Sequence, residues 1–290
     1  MATHSHVDFR PSTAWPIVVS APHGGFAKPN SISDRTSGCL EPDWNSLELA
    51  REIIQSFLRR DDEAPAFVAL LLHREKIDGN RPVCSACEEV GAEEAQAAWR
   101  CYHGGLARSL EDCVARFGFC LLLDIHGQSH RPDATELGYL LTSTDLLRTD
   151  AELDADSPRR SSVDSFLKPG KTLSSLIRGE DSLGSLLGKR GCVCTPSPFH
   201  PAPVSAEALQ HAQHQQHDIH ARSGPPHEVA RAATYFWGGY SIRRYAVADT
   251  IPPQSSPLPE ESGAWNESVA AIQLETAWSA RQSGQARRVT

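Results

Sequence analysis

The sequence lacks several features that define common functional classes. Its 28 lysines and arginines are outnumbered by 36 aspartates and glutamates, and the formal net charge is −8. Because nucleic acids and anionic membranes attract a basic surface, this balance argues against both as partners. No apolar run approaches the roughly 18 to 20 residues of a membrane span, and the N-terminus lacks a basic start followed by an apolar core. We therefore expect a cytoplasmic protein.

Cysteines are too sparse for a disulfide scaffold, with eight in 290 residues. The CSAC at 84–87 and the CVC at 192–194 could together hold a structural zinc. The two pairs lie far apart in the chain, however, and the second has an unusual spacing. We therefore expect reduced, partly buried thiols.

The remaining composition is that of an ordinary globular protein, with 40% hydrophobic and 22% charged residues. A chain of this length buries enough surface to be stable without disulfides. We find no internal repeat and no strong linker, and therefore expect residues 1–290 to form a single domain. Residues from about 145 to 182, rich in Asp, Ser, Arg and Lys, are expected to form a surface excursion or lid. The last residues, SGQARRVT, are expected to form a frayed tail.

Buried strands and amphipathic helices alternate along the chain. Leu47, Ala50 and Ile54 recur at helical spacing, with Asp43 or Asn45 as a cap, and further helices are expected from Glu93 to about Phe117 and in SLGSLLGKRG. The predicted strands lie in WPIVVSAPHGG, AFVALLLHREKIDGNR, FGFCLLLDIHG, GYLLTS, YFWGGYSIRRYA and VAAIQLET, the last leading into a short helix. This order predicts an α/β fold, a three-layer mixed sheet with helices on both faces.

Three predicted strands end in residues that can perform chemistry: PHGG at 22–25, DIHG at 124–127 and QLE at 273–275. Sites in open α/β sheets gather at the carboxyl ends of strands. A neutral imidazole at His126 can bind a metal, and Asp124 either orients that ring or faces another partner. His23 precedes two glycines that let the backbone approach a ligand or turn sharply. The competing interpretation for His126 is a core histidine, and for His23 it is a tight turn that needs the two glycines.

A catalytic zinc usually has three protein ligands and a water. The loop after His23 offers Asp34, Glu41 and Asp43 as a third ligand, although Asp43 could also be an ordinary helix N-cap. Four histidines that recur every three residues in a Gln-rich stretch also suggest metal binding, but a solvated helix explains them better. They are His211, His214, His217 and His220.

A series of short motifs resembles the N-formylglutamate amidohydrolase family, and its eukaryotic-type members most closely. The motifs fall in family order over nearly the whole chain, and that order and spacing make the match fairly specific. They are SAPHGG, SDR, DWNSLELARE, HREKIDGNRP, YHGGL, LLLDIHG, SLGSLL, the PSP at 196–198, FWGGYSIRRY and AIQLET. The resemblance implies a phosphorylase/hydrolase-like α/β fold related to the zinc carboxypeptidases.

The same resemblance implies particular roles for site residues. His23, Asp43 and His126 correspond to metal ligands for Zn²⁺ or another divalent ion. Glu275 corresponds to the general base that takes a proton from a metal-activated water and delivers it to the leaving amine. A glutamate that merely caps a helix is the alternative for Glu275.

Further positions are implied for substrate recognition. The pair Asn80 and Arg81 resembles a carboxylate-binding Asn-Arg pair, since a guanidinium fork matches a carboxylate. Arg74 could bind the same group or polarise the scissile carbonyl; loop salt bridges are the alternative for all three. Tyr240 is expected to line the pocket, and Arg281 is a weaker candidate for the substrate carboxylate.

The function expected from these residues is hydrolysis of an amide in a small acylated amino acid or peptide that carries a carboxylate. Gln128 and Ser129 follow DIHG where the bacterial enzymes of the family continue differently, which leaves N-formylglutamate itself open as the substrate. A metallo-carboxypeptidase or esterase on the same fold is the alternative enzyme. A binding protein that lost turnover is the alternative outside catalysis.

Overall fold

The structure is a computed structural model that describes residues 6–12, 14–88, 92–129, 133–155, 161–203, 235–246 and 267–282. The histidine stripe at 211–220 and the tail expected at 283–290 lie outside these ranges. No helix within them has the length and apolar content of a membrane span. All eight cysteines are free thiols, as the sequence predicts.

Seven strands form one sheet in the order β1-β3-β2-β4-β7-β5-β6. Strands β3, β2, β4 and β7 run parallel to one another, whereas β1 is antiparallel to β3 and β5 is antiparallel to β7. The mixed α/β sheet predicted from the sequence is therefore confirmed. The strands are β1 Val7–Arg10, β2 Ile17–Ala21, β3 Ala66–Leu70, β4 Cys120–Gly127, β5 Thr135–Gly138, β6 Cys194–Thr195 and β7 Val269–Thr276.

Nine α-helices and one 3-10 helix, Asp164–Phe166, connect these strands in the described residues. The longest are α1 and α3, which match the two longest predicted helices. The α-helices are α1 Ser46–Asp61, α2 Val83–Ala86, α3 Ala92–Phe117, α4 Ser143–Leu146, α5 Asp150–Ala155, α6 Leu173–Arg178, α7 Leu183–Gly188, α8 Tyr240–Ala246 and α9 Trp278–Arg281.

Helices cover both faces of the sheet, as predicted. Neighbouring residues of a strand point to opposite faces, and Val18 and Val19 of β2 are each fully buried in a different core. The first core contains side chains of α3 and α8, such as Leu106 and Ile242. The second contains side chains of α1 and α6, such as Ile54. Burial on both faces explains why the parallel strands are nearly continuous apolar runs.

Two predicted strands are wrong. The strand expected in GYLLTS lies earlier: β5 ends at Gly138, and Leu140 adopts a left-handed φ of 62°, outside the extended region of a regular strand. The strand expected in YFWGGYSIRRYA is a loop followed by α8. Gly238 has a φ of 133°, which interrupts extended pairing there. Beyond it, Ile242 and Tyr245 have the three-residue spacing of one helix face and pack on the first core.

The segment expected as a surface excursion or lid forms short helices in its described parts. Leu146, Leu153, Val163 and Ile177 from this region are buried in the second core. Apolar side chains spaced widely among polar residues thus attach it to the sheet. That this segment acts as a lid stays a prediction. So does the expectation that residues 1–290 form a single domain.

Candidate metal centre

The carboxyl ends of β2, β4 and β7 meet at one edge of the sheet because the three strands are parallel neighbours. His23 lies two residues beyond the end of β2, and His126 lies near the end of β4. Glu275 of β7 is the register partner of His126. The polar residues that end these three strands in the sequence are therefore brought together.

Asp43 completes a buried cluster with the two histidines. Its Oδ2 is 3.3 Å from Nδ1 of His23 and 3.1 Å from Nδ1 of His126. Ligand atoms of these three residues all lie within 4.8 Å of one another, and theirs is the one such group found in the described part of the chain. His23, Asp43 and His126 are the same residues that the family resemblance implies as metal ligands.

The other two carboxylates considered as a third ligand lie outside the cluster. Asp34 is 57% exposed and forms an ion pair with Lys76, and Glu41 is exposed. Asp43 is not a side-chain cap of α1 either, since the N-cap position is Asn45 in a left-handed conformation with no capping bond from its side chain. The Asp43 carboxylate is thus directed at the histidines.

Two glycines after His23 permit close packing around this loop. A Cβ on Gly24 would lie 2.5 Å from the backbone N of Leu47 in α1, and one on Gly25 would lie 2.2 Å from the carbonyl carbon of Leu71. Both glycines therefore serve close backbone approach. The loop that carries His23 is held between α1 and the residues after β3.

A second layer of carboxylates orients the histidine rings. Nε2 of His23 lies 2.6 Å from Oδ1 of Asp78, and Nε2 of His126 lies 3.1 Å from Oδ2 of Asp124. The Ser20 hydroxyl donates to the other oxygen of Asp124 at 2.5 Å. Because a carboxylate only accepts, each Nε2 donates to its outer carboxylate, and each Nδ1 faces Asp43, on the side where a metal would bind. Histidines that bind metals commonly have such a carboxylate partner.

The donor set fits a divalent ion. Tetrahedral ligands about 2.1 Å from a zinc ion are about 3.4 Å apart. The contacts of Asp43 Oδ2 with the two Nδ1 atoms, 3.3 Å and 3.1 Å, are close to that spacing. Two imidazoles and one carboxylate form a ligand set that suits zinc and several other divalent metals.

The electrostatics of the cluster also favour a cation. Burial raises the pKa of Asp43, but His23 and His126 outweigh burial and hold that pKa well below its ordinary value. Burial lowers the pKa of His126, but Asp124 outweighs it and raises the pKa well above the ordinary value. Four buried carboxylates contribute negative charge to this edge of the sheet; they are Asp43, Asp78, Asp124 and Glu275.

Glu275 faces the cluster from β7. Its Oε1 lies 3.9 Å from Nδ1 of His126 and accepts a hydrogen bond of 2.7 Å from the Gln273 amide. Burial raises the pKa of Glu275 above its ordinary value, opposed by the charge of His126. A raised pKa suits a carboxylate that accepts a proton and then returns it.

Arg74 contacts two carboxylates of the cluster. Its NH1 donates to Oδ1 of Asp43 at 3.1 Å and its Nε donates to Oδ2 of Asp78 at 3.4 Å. The loop salt bridges considered for Arg74 are thus present, and they place its guanidinium beside the candidate metal ligands. Contact with a substrate stays a prediction for this residue.

The other residues expected to recognise substrate differ in their surroundings. Asn80 accepts a hydrogen bond from the backbone N–H of Ser241, which joins its loop to α8. Arg81 is 55% exposed, with Nε 3.9 Å from Oδ2 of Asp78. Tyr240 packs against Trp99 and His103, and its hydroxyl accepts from Arg244. Arg81 is the exposed residue of the three, and contact with a substrate stays a prediction for all of them.

Sequence reasoning missed part of the surrounding network. Asp78 lies within the quoted motif HREKIDGNRP but received no role, because its partner His23 is 55 residues away in the chain. Arg281, the weaker candidate for the substrate carboxylate, does not have the surroundings of such a group: the guanidinium is buried and donates to three backbone carbonyls. No sequence signal distinguishes an arginine that binds backbone from one that binds substrate.

No protein-family model matches the chain, and no curated protein matches it significantly. Among solved structures, the chain is similar to an N-formylglutamate amidohydrolase from Ralstonia eutropha JMP134. The two share 15% sequence identity with a TM-score of 0.47, and the match covers 94% of this chain and 86% of that one. It is also similar to a gene product of Agrobacterium tumefaciens, with 15% sequence identity and a TM-score of 0.37. That match covers 52% of this chain and 69% of the other. Similarities this low carry no conclusion about activity.

Proposed function

We propose that this protein is a metal-dependent amidohydrolase that cleaves the amide bond of a small acylated amino acid or peptide, N-formylglutamate-like in type. The observation that carries the proposal is the convergence of two Nδ1 atoms on Asp43 with Glu275 beside them. The sequence motifs described above support the same class of reaction.

His23, Asp43 and His126 would hold the metal, and Asp78 and Asp124 would keep both imidazoles in the tautomer that ligation needs. A bound divalent metal supplies a Lewis acid that polarises the amide carbonyl and makes a water molecule more acidic. Zinc suits the ligand set, although other divalent ions share it.

Glu275 would act as the general base and then as the general acid. Its carboxylate takes a proton from the attacking water as the water oxygen bonds to the carbonyl carbon. The same proton goes to the leaving nitrogen as the carbon–nitrogen bond breaks, giving a carboxylic acid and an amine. Burial, which raises the pKa of Glu275, supports this double role.

Arg81 would bind a carboxylate of the substrate. It is exposed beside Asp78, and a guanidinium fork binds a carboxylate with two parallel hydrogen bonds. Asn80 would hold this loop against α8 through Ser241. We therefore expect substrates with a free carboxylate near the scissile amide.

The test is hydrolysis of a panel of N-formyl and N-acetyl amino acids by the purified protein, before and after removal of metal with a chelator. We expect activity that disappears with the chelator and returns with added zinc or another divalent ion. Activity that survives complete removal of metal would contradict the proposal.

The same panel separates the alternative functions. Cleavage of the matched ester, but not of the amide, would instead indicate an esterase, and release of a C-terminal residue from a peptide would indicate a carboxypeptidase. Binding of substrate without turnover in the metal-loaded protein would indicate a binding protein.

A further inference from the structure

The guanidinium of Arg281 is directed into the protein and contacts three separate segments of the backbone. Its side chain is 5% exposed. Nε donates to the Thr276 carbonyl at 3.2 Å, NH2 donates to the Gln128 carbonyl at 2.6 Å, and NH1 donates to the Trp44 carbonyl. These three acceptors lie on segments far apart in the sequence.

Each of these carbonyls belongs to a residue next to a member of the candidate site. Trp44 directly follows Asp43, Gln128 comes two residues after His126, and Thr276 directly follows Glu275. One rigid guanidinium therefore contacts the backbone beside a candidate carboxylate ligand, just after a candidate histidine ligand and beside the candidate general base.

Gly127 provides the room for this arrangement. A Cβ at Gly127 would lie 2.2 Å from NH1 of Arg281 and 2.3 Å from its central carbon. The backbone N–H of Gly127 donates to Oδ2 of Asp43 at 3.2 Å. A glycine in this position lets the guanidinium pack directly against the backbone that also contacts the ligand carboxylate.

We propose that Arg281 is a positioning residue that holds the Asp43 loop against the strands that carry His126 and Glu275, and so sets the affinity of the site for its metal. This role rests on the proposed function, since it requires a metal at the cluster. The planar guanidinium donates in three directions at once, whereas a lysine ammonium is a point charge on a flexible stem that cannot span the same three carbonyls.

The chain offers a matched control in Arg178. This arginine is also buried, and its guanidinium donates to the carbonyls of Leu146 and Arg148 and to the carboxylate of Asp150. Its acceptors belong to none of the residues of the candidate metal site. Loss of Arg178 therefore reports what removal of a buried, multiply bonded arginine does to the fold alone.

The experiment measures zinc affinity of the metal-free protein by competition with a chromophoric chelator, for wild type, Arg281→Lys, Gly127→Ala and Arg178→Lys. Affinity is expressed per folded molecule, with the folded fraction taken from circular dichroism. We expect the Arg281 and Gly127 variants to bind zinc about 10- to 100-fold more weakly, as for other residues that orient ligands, and Arg178→Lys to bind as wild type does.

Wild-type affinity in Arg281→Lys would overturn the proposed role, and so would an equal loss in Arg178→Lys. Gly127→Ala tests the same contact if Arg281→Lys does not fold. A wild-type protein that binds no zinc or other divalent ion is a different result, because it removes the proposed function itself and this role with it.

Discussion

Glu275 is the register partner of His126 across the parallel pairing of β4 and β7, and its Oε1 lies 3.9 Å from Nδ1 of the histidine. The Gln273 amide holds that same oxygen from the same face of β7. The sheet itself therefore fixes the distance between a candidate ligand and a candidate base. A side chain placed by strand register is held more rigidly than one placed by a loop.

This arrangement predicts that Glu275→Gln keeps the metal and loses turnover. The amide has nearly the shape of the carboxylate but cannot accept the proton, and general-base catalysis typically contributes about 10²- to 10⁴-fold. Measurement of kcat beside metal content tests it. Glu136→Gln is the control, since Glu136 is a buried glutamate opposite Glu275 on β5. A near-normal rate in Glu275→Gln would exclude the base role.

The outer carboxylates are predicted to set metal affinity. In Asp124→Asn, an amide replaces the carboxylate that accepts from Nε2 of His126. The amide can donate to Nε2 instead, which favours the tautomer with the proton on Nδ1, the nitrogen that would bind the metal. We expect zinc affinity to fall about 10- to 100-fold, and the same for Asp78→Asn at His23. Asp154→Asn is the control, because Asp154 accepts from Ser174 outside this site. Unchanged affinity in both variants would refute an orienting role.

His103 predicts a dependence of stability on pH. Its Nε2 lies 3.0 Å from the Gly79 carbonyl and its Nδ1 lies 2.8 Å from the Tyr245 hydroxyl. The carbonyl can only accept, so Nε2 carries the proton of the neutral ring, and the Tyr245 hydroxyl lies between Nδ1 and the backbone carbonyl of His103. Burial lowers the pKa of His103 from 6.5 to about 3. The folded protein therefore resists a proton that the unfolded chain accepts.

Because the pKa of His103 is lower in the folded protein than in the unfolded chain, the protein loses stability as the pH falls. The contribution of neutral His103 to the free energy of unfolding is fully present above pH 6.5. It is lost as the pH falls toward about 3, by up to about 1.4 kcal/mol per pH unit. His103→Gln cannot titrate, so metal-free His103→Gln should lose less stability than metal-free wild type between about pH 7 and pH 5. Denaturant unfolding at both pH values measures it; equal losses would show that His103 is not held neutral.

The core beneath the site predicts a large effect on folding from one strand residue. Leu122 of β4 is fully buried in the first core, four residues before His126. Leu122→Ala should lower the free energy of unfolding by about 2–5 kcal/mol. Val193→Ala, at a side chain that is 51% exposed, should change it by less than about 0.5 kcal/mol. Similar effects of the two substitutions on the denaturant midpoint would contradict this account of the core.

The sequence predicts the parallel core of the fold well because its strands are continuous apolar runs that end in glycine or polar residues. The motifs around His23 and His126 lie at the ends of two such runs, and the structure brings both histidines into one buried group that could hold a metal. The third ligand could not be chosen by pattern alone, since Asp34, Glu41 and Asp43 share one loop. Only the folded chain distinguishes them, by directing the Asp43 side chain toward both histidines.

The remaining errors have physical causes of two kinds. The aromatic residues before α8 suggest a strand, but Gly238 interrupts pairing there. Beyond it, the spacing of Ile242 and Tyr245 suits a helix packed on the first core. Arg281 and Asp78 were misjudged or missed because their partners are distant in the chain. Contacts between segments 55 or more residues apart leave no periodicity to detect.

The central claim is a metal held between His23, His126 and Asp43, and the most direct test is the metal content of the purified protein. Wild type, His23→Ala and His126→Ala are compared after zinc is supplied and unbound metal is removed. We expect about one equivalent of a divalent metal in wild type and its loss in both variants. A folded wild-type protein that holds no metal after zinc is supplied would contradict the account and leave the hydrolase mechanism without its Lewis acid.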